Sequence, residues 1–416
     1  MQRALPMVAP LVILCLGALA APPRATAVTA YYVSSVSGDD SRTGLSAEAA
    51  WRSLQRVQAA ELGPGDRVLF KGGETFPGTL TLSGVAGNAD ARVVLSSYGP
   101  GRATIDAGAG SGFVLKNCRF VEVKNLAFVG NGRKTNEDGS GVRIEGGAHN
   151  AIDSVEASGF RHAGISAGGD QSTRITGVRV HHNGFAGIAV HGKTGDLPFT
   201  RDLYIGHSVA HDNPGDPTNT TNHSGNGIVV GGVKGGLVEY CEAYNNGWDM
   251  PRQGNGPVGI WGYFCDRLVI QHNVAHHNKT SKGGRDGGGF DLDGGATNSI
   301  LQYNLSYANH GTGYLLCQYP GAAPWKNNIC RYNLSVDDGR TNHFSGIHFW
   351  AGGEGISDAR IHNNLVINAR HAIVSTHDIK GLVFQNNILV SDDAVILGPL
   401  DDARFEGNIY FPRQDS

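Results

Sequence analysis

Asn273-Val-Ala-His-His-Asn278 is the stretch that decides the fold, because it recurs along the chain with small changes. Ser208-Val-Ala-His-Asp-Asn213 precedes it and Asn304-Leu-Ser-Tyr-Ala-Asn309 follows it. Shortened forms persist as Asn333-Leu-Ser, Asn364-Leu-Val and Asn387-Ile-Leu. Working outward, the corner residues align as Asn131, Ser158, Asn183, Asn213, Asn246, Asn278 and Asn309, with spacings of 27, 25, 30, 33, 32 and 31 residues. Each unit reads as a small-residue strand, an Asn-rich corner and a Gly-plus-apolar strand, with no helix between. Such a pattern predicts a solenoid, since no single coil can bury its apolar face alone. Residues 28–416 then form one all-β domain with a long, flat, strand-built face suited to an extended polymer.

The bulk numbers agree. The 416 residues include 61 glycines and 16 prolines, a turn-rich rather than helical composition. A net charge of -3 gives no electrostatic case for nucleic acid or an anionic membrane as a partner, and a monomer is expected. Residues 1–27 read as an export signal: Arg3, an apolar run over 5–19, and Ala25-Thr26-Ala27 as the cleavage site. Leu14 before Cys15 argues against a lipid anchor, and no later stretch is long and apolar enough to span a bilayer. A secreted or periplasmic protein is expected. Beyond the signal lie Cys118, Cys241, Cys265, Cys317 and Cys330, with no metal-type spacing. They read as stacked core thiols, with a Cys317–Cys330 bridge as the oxidised alternative.

Residues 47–62, with Ser46 as N-cap and Gly63-Pro64-Gly65 as the stop, predict the one convincing helix. It would cap the open first coil, which otherwise exposes apolar core and strand edges. Two segments exceed a tight turn, 214–225 and 246–257, and long loops on a regular scaffold often carry binding groups. The column His181, His211, Tyr244, His276, Tyr307 and the asparagine column both read as packing ladders rather than sites.

Aligning the second strands on their glycines gives two outward columns, since side chains alternate along a strand. Coil by coil they are Ala189 and His191; Val229 and Gly231; Trp261 and Tyr263; Asp291 and Asp293; Leu315 and Cys317; His348 and Trp350; Val374 and Thr376. The ends are bland and the centre holds carboxylates among rings. Rings stack on sugar faces, and paired carboxylates do the proton work of glycosidic cleavage. Asp291 and Asp293 lie in Asp286-Gly-Gly-Gly-Phe-Asp-Leu-Asp-Gly-Gly295. Two positions apart on a strand, their Cα atoms are about 6.7 Å apart, close enough for one charge to raise the other's pKa. Asp286, Arg285 and Lys282 enter from the preceding turn. His348 is a further acid/base candidate, as is His310 in the turn before Gly313. Trp261, Tyr263, Trp350 and His310 are the expected substrate contacts. The same oxygens offer a calcium site as the alternative, and no other cofactor is called for.

Tyr31-Tyr-Val-Ser-Ser, Gly38-Asp-Asp, Trp51-Arg-Ser-Leu54 and Pro64-Gly-Asp-Arg-Val-Leu-Phe-Lys-Gly-Gly-Glu-Thr-Phe76 resemble secreted right-handed parallel β-helix proteins of the pectate-lyase-like superfamily. With the Asn-cornered coils, the likeness covers nearly all of residues 31–411. It implies a right-handed parallel β-helix and a polysaccharide substrate laid across one face. The superfamily holds hydrolases, lyases and uronate epimerases, so fold does not choose the reaction. No Gly-His-Gly or following Arg-x-Lys of the polygalacturonase type stands in register, and the pectate-lyase arginine and calcium aspartates are not evident. A glycoside hydrolase using Asp291 and Asp293, tuned by Asp286, is the leading expectation. The alternatives are a lyase or C5-epimerase, with Lys282, Arg285 or His348 as base or neutraliser, and a non-catalytic glycan-binding protein.

Overall fold

The computed structural model describes residues 28–193, 198–352, 355–377 and 379–412, so the expected signal segment 1–27 lies outside the described residues. Short strands wind coil upon coil into three long parallel sheets of 14, 12 and 13 strands, a parallel β-helix. The 12-stranded sheet runs from Leu80–Ser83 to Ile396–Leu397 and carries the two columns read from sequence.

The repeat motif has a steric cause. The 13-stranded sheet sends a small residue inward from each Val-Ala-His-type strand: Ala210, Ala243, Ala275, Ser306 and Ser335 stack in one file. Opposite them stand the glycines of the 12-stranded sheet. A Cβ added at Gly187 would lie 2.9 Å from the Ala210 Cβ, and one at Gly289 would lie 2.2 Å from the Ser306 hydroxyl. Small residue and glycine are therefore two halves of one close approach. The 12- and 14-stranded sheets fill the wider interior with files such as Ile188, Ile228, Ile260, Phe290, Tyr314, Ile347 and Ile373, all at most 1% exposed.

Buried amides join the coils at the corners. Asn246 Oδ1 accepts from the Asn213 backbone N–H (3.1 Å) and side-chain Nδ2 (2.9 Å). Its own Nδ2 donates to Ala210 O (3.1 Å) and Asn278 Oδ1 (2.9 Å). The file runs from Asn183 to Asn309 and ends on Asp338. A second amide file runs through Asn273, Asn304, Asn333, Asn364, Asn387 and Asn408. Ser158 belongs elsewhere: it pairs with His181, and Phe160 occupies the corner, donating its N–H to Asn183. The expected ring file is present, His181–His211–Tyr244–His276–Tyr307, stacked at 4.6–5.1 Å. A second, unforeseen file stacks His207, Tyr240, His272, Tyr303 and Tyr332.

The N-terminal helix is shorter than expected. It spans Leu54–Gln58, with Ser53 as N-cap accepting the Arg56 N–H. Trp51 is extended instead: it exchanges backbone bonds with Tyr32 and Ser34 and stacks on Tyr31 at 4.5 Å. Sheet pairing at the first coil thus outweighs the helical spacing of Trp51 and Leu54, and Leu54 and Val57 alone present the helix's buried side. The five cysteines among the described residues are free thiols; Cys330 faces the core and Cys317 faces outward from a different sheet, so they form no bridge. Among the described residues no helix is long and apolar enough to cross a membrane.

Asn246→Ala strands buried donors and acceptors on two coils and is expected to cost about 2–4 kcal/mol. Asn131→Ala, at an exposed corner outside the file, is expected to shift the urea midpoint little. Asp338 ends the file buried, and burial pushes it to about 6. The folded state thus holds that proton more tightly than the unfolded chain, and the associated stability is lost as pH rises from about 4 to about 6. Asp338→Asn is expected to raise the melting temperature at pH 7.5 and leave it nearly unchanged at pH 4.

Candidate active site

The register predicted from the glycines holds strand by strand. Val229, Trp261, Asp291, Leu315, His348 and Val374 are successive partners along the 12-stranded sheet. Beside them run Gly231 and Tyr263, and then Cys317 and Trp350, with Asp293 just beyond its strand between the two pairs. A Cβ at Gly231 would lie 2.2 Å from the Tyr263 ring, so the missing side chain is what lets that ring lie down along the sheet.

The face is not flat. Trp261, Asp291 and His348 are only 4%, 3% and 3% exposed because turns rise beside the sheet and cover it. Asn222 and His223 come from the 214–225 loop, and Arg252, Gln253 and Asn255 from the 246–257 loop. The loops are laced together: the Arg252 guanidinium donates to Thr221 O, Arg133 pairs with Asp249, and Arg133 Nη1 donates to Gly215 O (2.8 Å). The result is a walled cavity of about 700 Å³. The flat polymer face expected from sequence becomes a pocket, because two loops longer than a corner fold over the strands.

One end of the cavity is apolar. Ala163, Ala186, Ala189, Val229, Val258 and Trp261 form a second hydrophobic cluster outside the β-helix core, with Phe185 and Tyr263 packed on it. Buried histidines fix its rings. His191 Nδ1 and the Tyr263 hydroxyl are 3.1 Å apart. His223 lies edge-on to Trp261 at 4.9 Å and meets Asn226 Nδ2, while Asn226 Oδ1 accepts the Trp261 indole N–H (3.0 Å). Burial pushes His191 and His223 down to about 4, so both are neutral, and pushes Tyr263 up to about 12.

The other end holds three carboxylates. Burial raises Asp291 well above the ordinary range, reinforced by Asp293 and Asp286, and its Oδ1 is buried without a hydrogen-bond partner among the described residues. Asp293 is pushed up to about 6 by burial, offset by donors at Cys317 and the Gly294 N–H (2.6 Å). Asp286 is raised by burial, but opposed by His343 and by the Gly256 N–H, which donates to Oδ2 (2.6 Å). His343 Nε2 stands 3.5 Å from Asp286 Oδ1, and its ring meets His348 edge-on at 4.5 Å.

The other expected site residues divide. Arg285 and Trp350 line the cavity with Tyr319. His348 lies buried behind His343 with both ring nitrogens unpartnered among the described residues, and burial pushes it down to about 3. Lys282 is exposed on its turn and is not part of the lining. His310 also lies away from the lining; its carbonyl accepts the Thr341 and Asn342 N–H groups, so it supports the turn that presents His343. No three His, Cys, Asp or Glu among the described residues are arranged to hold a metal ion. His343, His223, Phe185 and Tyr319 were missed because none sits in the two outward columns. His191 does sit there, but at an end that reads as bland, and only the Tyr263 ring lying along the sheet brings it into the cavity.

The profile described as "Pel9A-like, right handed beta helix region" matches residues 31–345. The chain belongs to the Pel9A-like right-handed β-helix family. This member is 24% identical over 472 aligned positions to a lacto-N-biosidase of Bifidobacterium longum subsp. longum, covering 87% of this chain and 29% of the relative. The chain thus spans under a third of that curated relative. The structure is similar to a GH136 lacto-N-biosidase from Eubacterium ramulus, with TM-score 0.66 and 18% identity, covering 92% of this chain and 68% of the other. It is also similar to the A-module of Azotobacter vinelandii mannuronan C-5 epimerase AlgE6, with TM-score 0.60 and 14% identity, over 84% and 92%. At these identities the solved structures share the β-helix fold.

Gly231→Ala is expected to lift the Tyr263 ring off the sheet and break its contact with His191. Near-ultraviolet circular dichroism should change while the far-ultraviolet spectrum stays that of the wild type. An unchanged near-ultraviolet spectrum would show that the ring does not depend on this glycine.

Proposed function

We propose that this β-helix protein is an exported glycoside hydrolase that cleaves glycans in the cavity walled by the 214–225 and 246–257 loops. The observation that carries the reading is the division of one cavity into a ring-lined end and a three-carboxylate end. Rings hold a sugar by its C–H face while carboxyls on either side of the glycosidic bond donate and accept the proton. The lacto-N-biosidase relative supports hydrolysis. The apolar run at 5–19 and the Ala27 site support export.

Environment assigns the roles. Asp293, at about 6, is the group whose proton can leave and return near neutrality, and it serves as general acid. Asp286, held toward its anion by the Gly256 N–H and His343, is the carboxylate that attacks or activates water. Asp291 stays protonated between them and donates a hydrogen bond to the substrate. Asp286 thus moves from tuning group to working partner. Trp261, Tyr263 and Trp350 hold sugar rings, and a compact oligosaccharide or chain end fits the walled cavity better than a long polymer.

The purified protein, offered neutral, uronic and lacto-N-bioside oligosaccharides, is expected to release reducing ends without ultraviolet absorbance. Absorbance rising on a uronic substrate, or activity lost to a chelator, would favour elimination with Arg285 and a cation in play. Asp286→Asn and Asp293→Asn should each lower kcat by about 10²–10⁴. Asp291→Asn, isosteric with a neutral acid, should stay within about tenfold. An Asp291→Asn variant that folds yet is as inactive as the others would overturn this division of roles. Since Asp293 must be protonated to act, kcat/KM is expected to fall as pH rises through about 6.

A further inference from the structure

We propose that Cys317 is a positioning residue for Asp293: its S–H donates to the carboxylate from the next coil and sets how tightly the carboxylate holds its proton. The pairing of Leu292 with Leu316 puts Asp293 and Cys317 side by side on the outward face, one coil apart. Both line the cavity, and their neighbouring positions put the thiol where it can donate to the carboxylate. The other four thiols among the described residues are buried away from the cavity; Cys118, Cys241 and Cys265 donate to backbone carbonyls at Leu82 (3.4 Å), Glu239 (3.3 Å) and Val230 (3.3 Å).

The surroundings of Asp293 give this one bond leverage. Asp286 on the preceding turn disfavours its charge, while Asp291 on its own strand is raised further and stays neutral. Tyr263 on one neighbouring coil and Tyr319 on the other face it as neutral phenols, each raised above its ordinary range. Arg252 and Arg285 stand on the cavity wall, and neither makes an ion pair among the described residues. The Gly294 N–H and the Cys317 S–H are the donors that favour the anion. Burial and the three carboxylates push the Cys317 thiol well up, so it remains S–H while Asp293 titrates.

Sulfur matters because S–H is a weak donor. A hydroxyl here would stabilise the anion more and draw Asp293 down; an alkyl group would release it upward. Cys317→Ser and Cys317→Ala are therefore expected to shift Asp293 in opposite directions, each by about half to one pH unit. The opposite signs are a signature that mere loss of packing does not produce.

The measurement is the carboxyl titration of Asp293 in the full chain, by carbon-13 NMR with Asp293→Asn to assign the signal. Alongside it goes the infrared S–H band of Cys317, isolated as the difference between wild type and Cys317→Ala. That band should shift as Asp293 ionises. Only the kinetic side rests on the proposed hydrolase: the basic limb of kcat/KM should follow the titration, up for alanine and down for serine. A titration that shifts while the limb stays put leaves the Cys317 inference standing and removes Asp293 as the acid. Identical titration in all three proteins, shifts of the same sign, or an S–H band indifferent to pH would overturn the inference. Should Cys317→Ala fail to fold, the serine variant and the wild-type S–H band, referenced to serine, decide alone.

Discussion

The register of one coil on the next is the constraint on which this molecule depends. Parallel backbone pairing sets the spacing of neighbouring coils, but sliding by one residue would turn every inward side chain outward. The buried amide files remove that freedom. Each asparagine can satisfy the donors of the coil before it and the acceptor of the coil after it at one alignment. The glycine-to-alanine approach fixes the same alignment from the interior, because a displaced coil would set a larger side chain where a Cβ already has 2–3 Å of room. Two independent restraints, one polar and one steric, thus agree on which residues share a column.

Chemistry at the cavity inherits that alignment. Trp261, Asp291 and His348 come from three different coils, yet stand in one column because their strands are held in register. The scaffold does not supply the environment. That comes from the loops, whose cover excludes water from carboxylates that would be ordinary acids on an open sheet. Burial is the first cause of the raised proton affinity of all three aspartates. The donors each one then finds, Gly256 N–H and His343 for Asp286, Gly294 N–H and Cys317 for Asp293, make three chemically identical groups unequal.

The aromatic end follows the same division of labour. Ring positions are set by the columns, and ring orientations by buried neutral histidines and an asparagine that hold the indole and phenol hydrogen bonds. The histidines remain neutral because their surroundings are apolar, so the network changes little over the pH range in which Asp293 titrates. The cavity therefore pairs a rigid, proton-silent end with a proton-active one.

Sequence by itself determined the solenoid, the corner amides, the ring file and the outward columns, because each is a periodic feature that one-dimensional spacing records. It placed Asp291, Asp293, Trp261, Tyr263 and Trp350 on one face for the same reason. It misplaced Ser158 by two positions and extended the first helix across Trp51, where local spacing competes with sheet pairing that only the assembled first coil supplies. Tertiary structure decided that the face is a cavity, that His343 reaches Asp286, and that Cys317 serves Asp293 while Lys282 and His310 stay outside. Those outcomes depend on how turns of unequal length fold over the strands and on what they exclude from water, and neither leaves a period in the sequence.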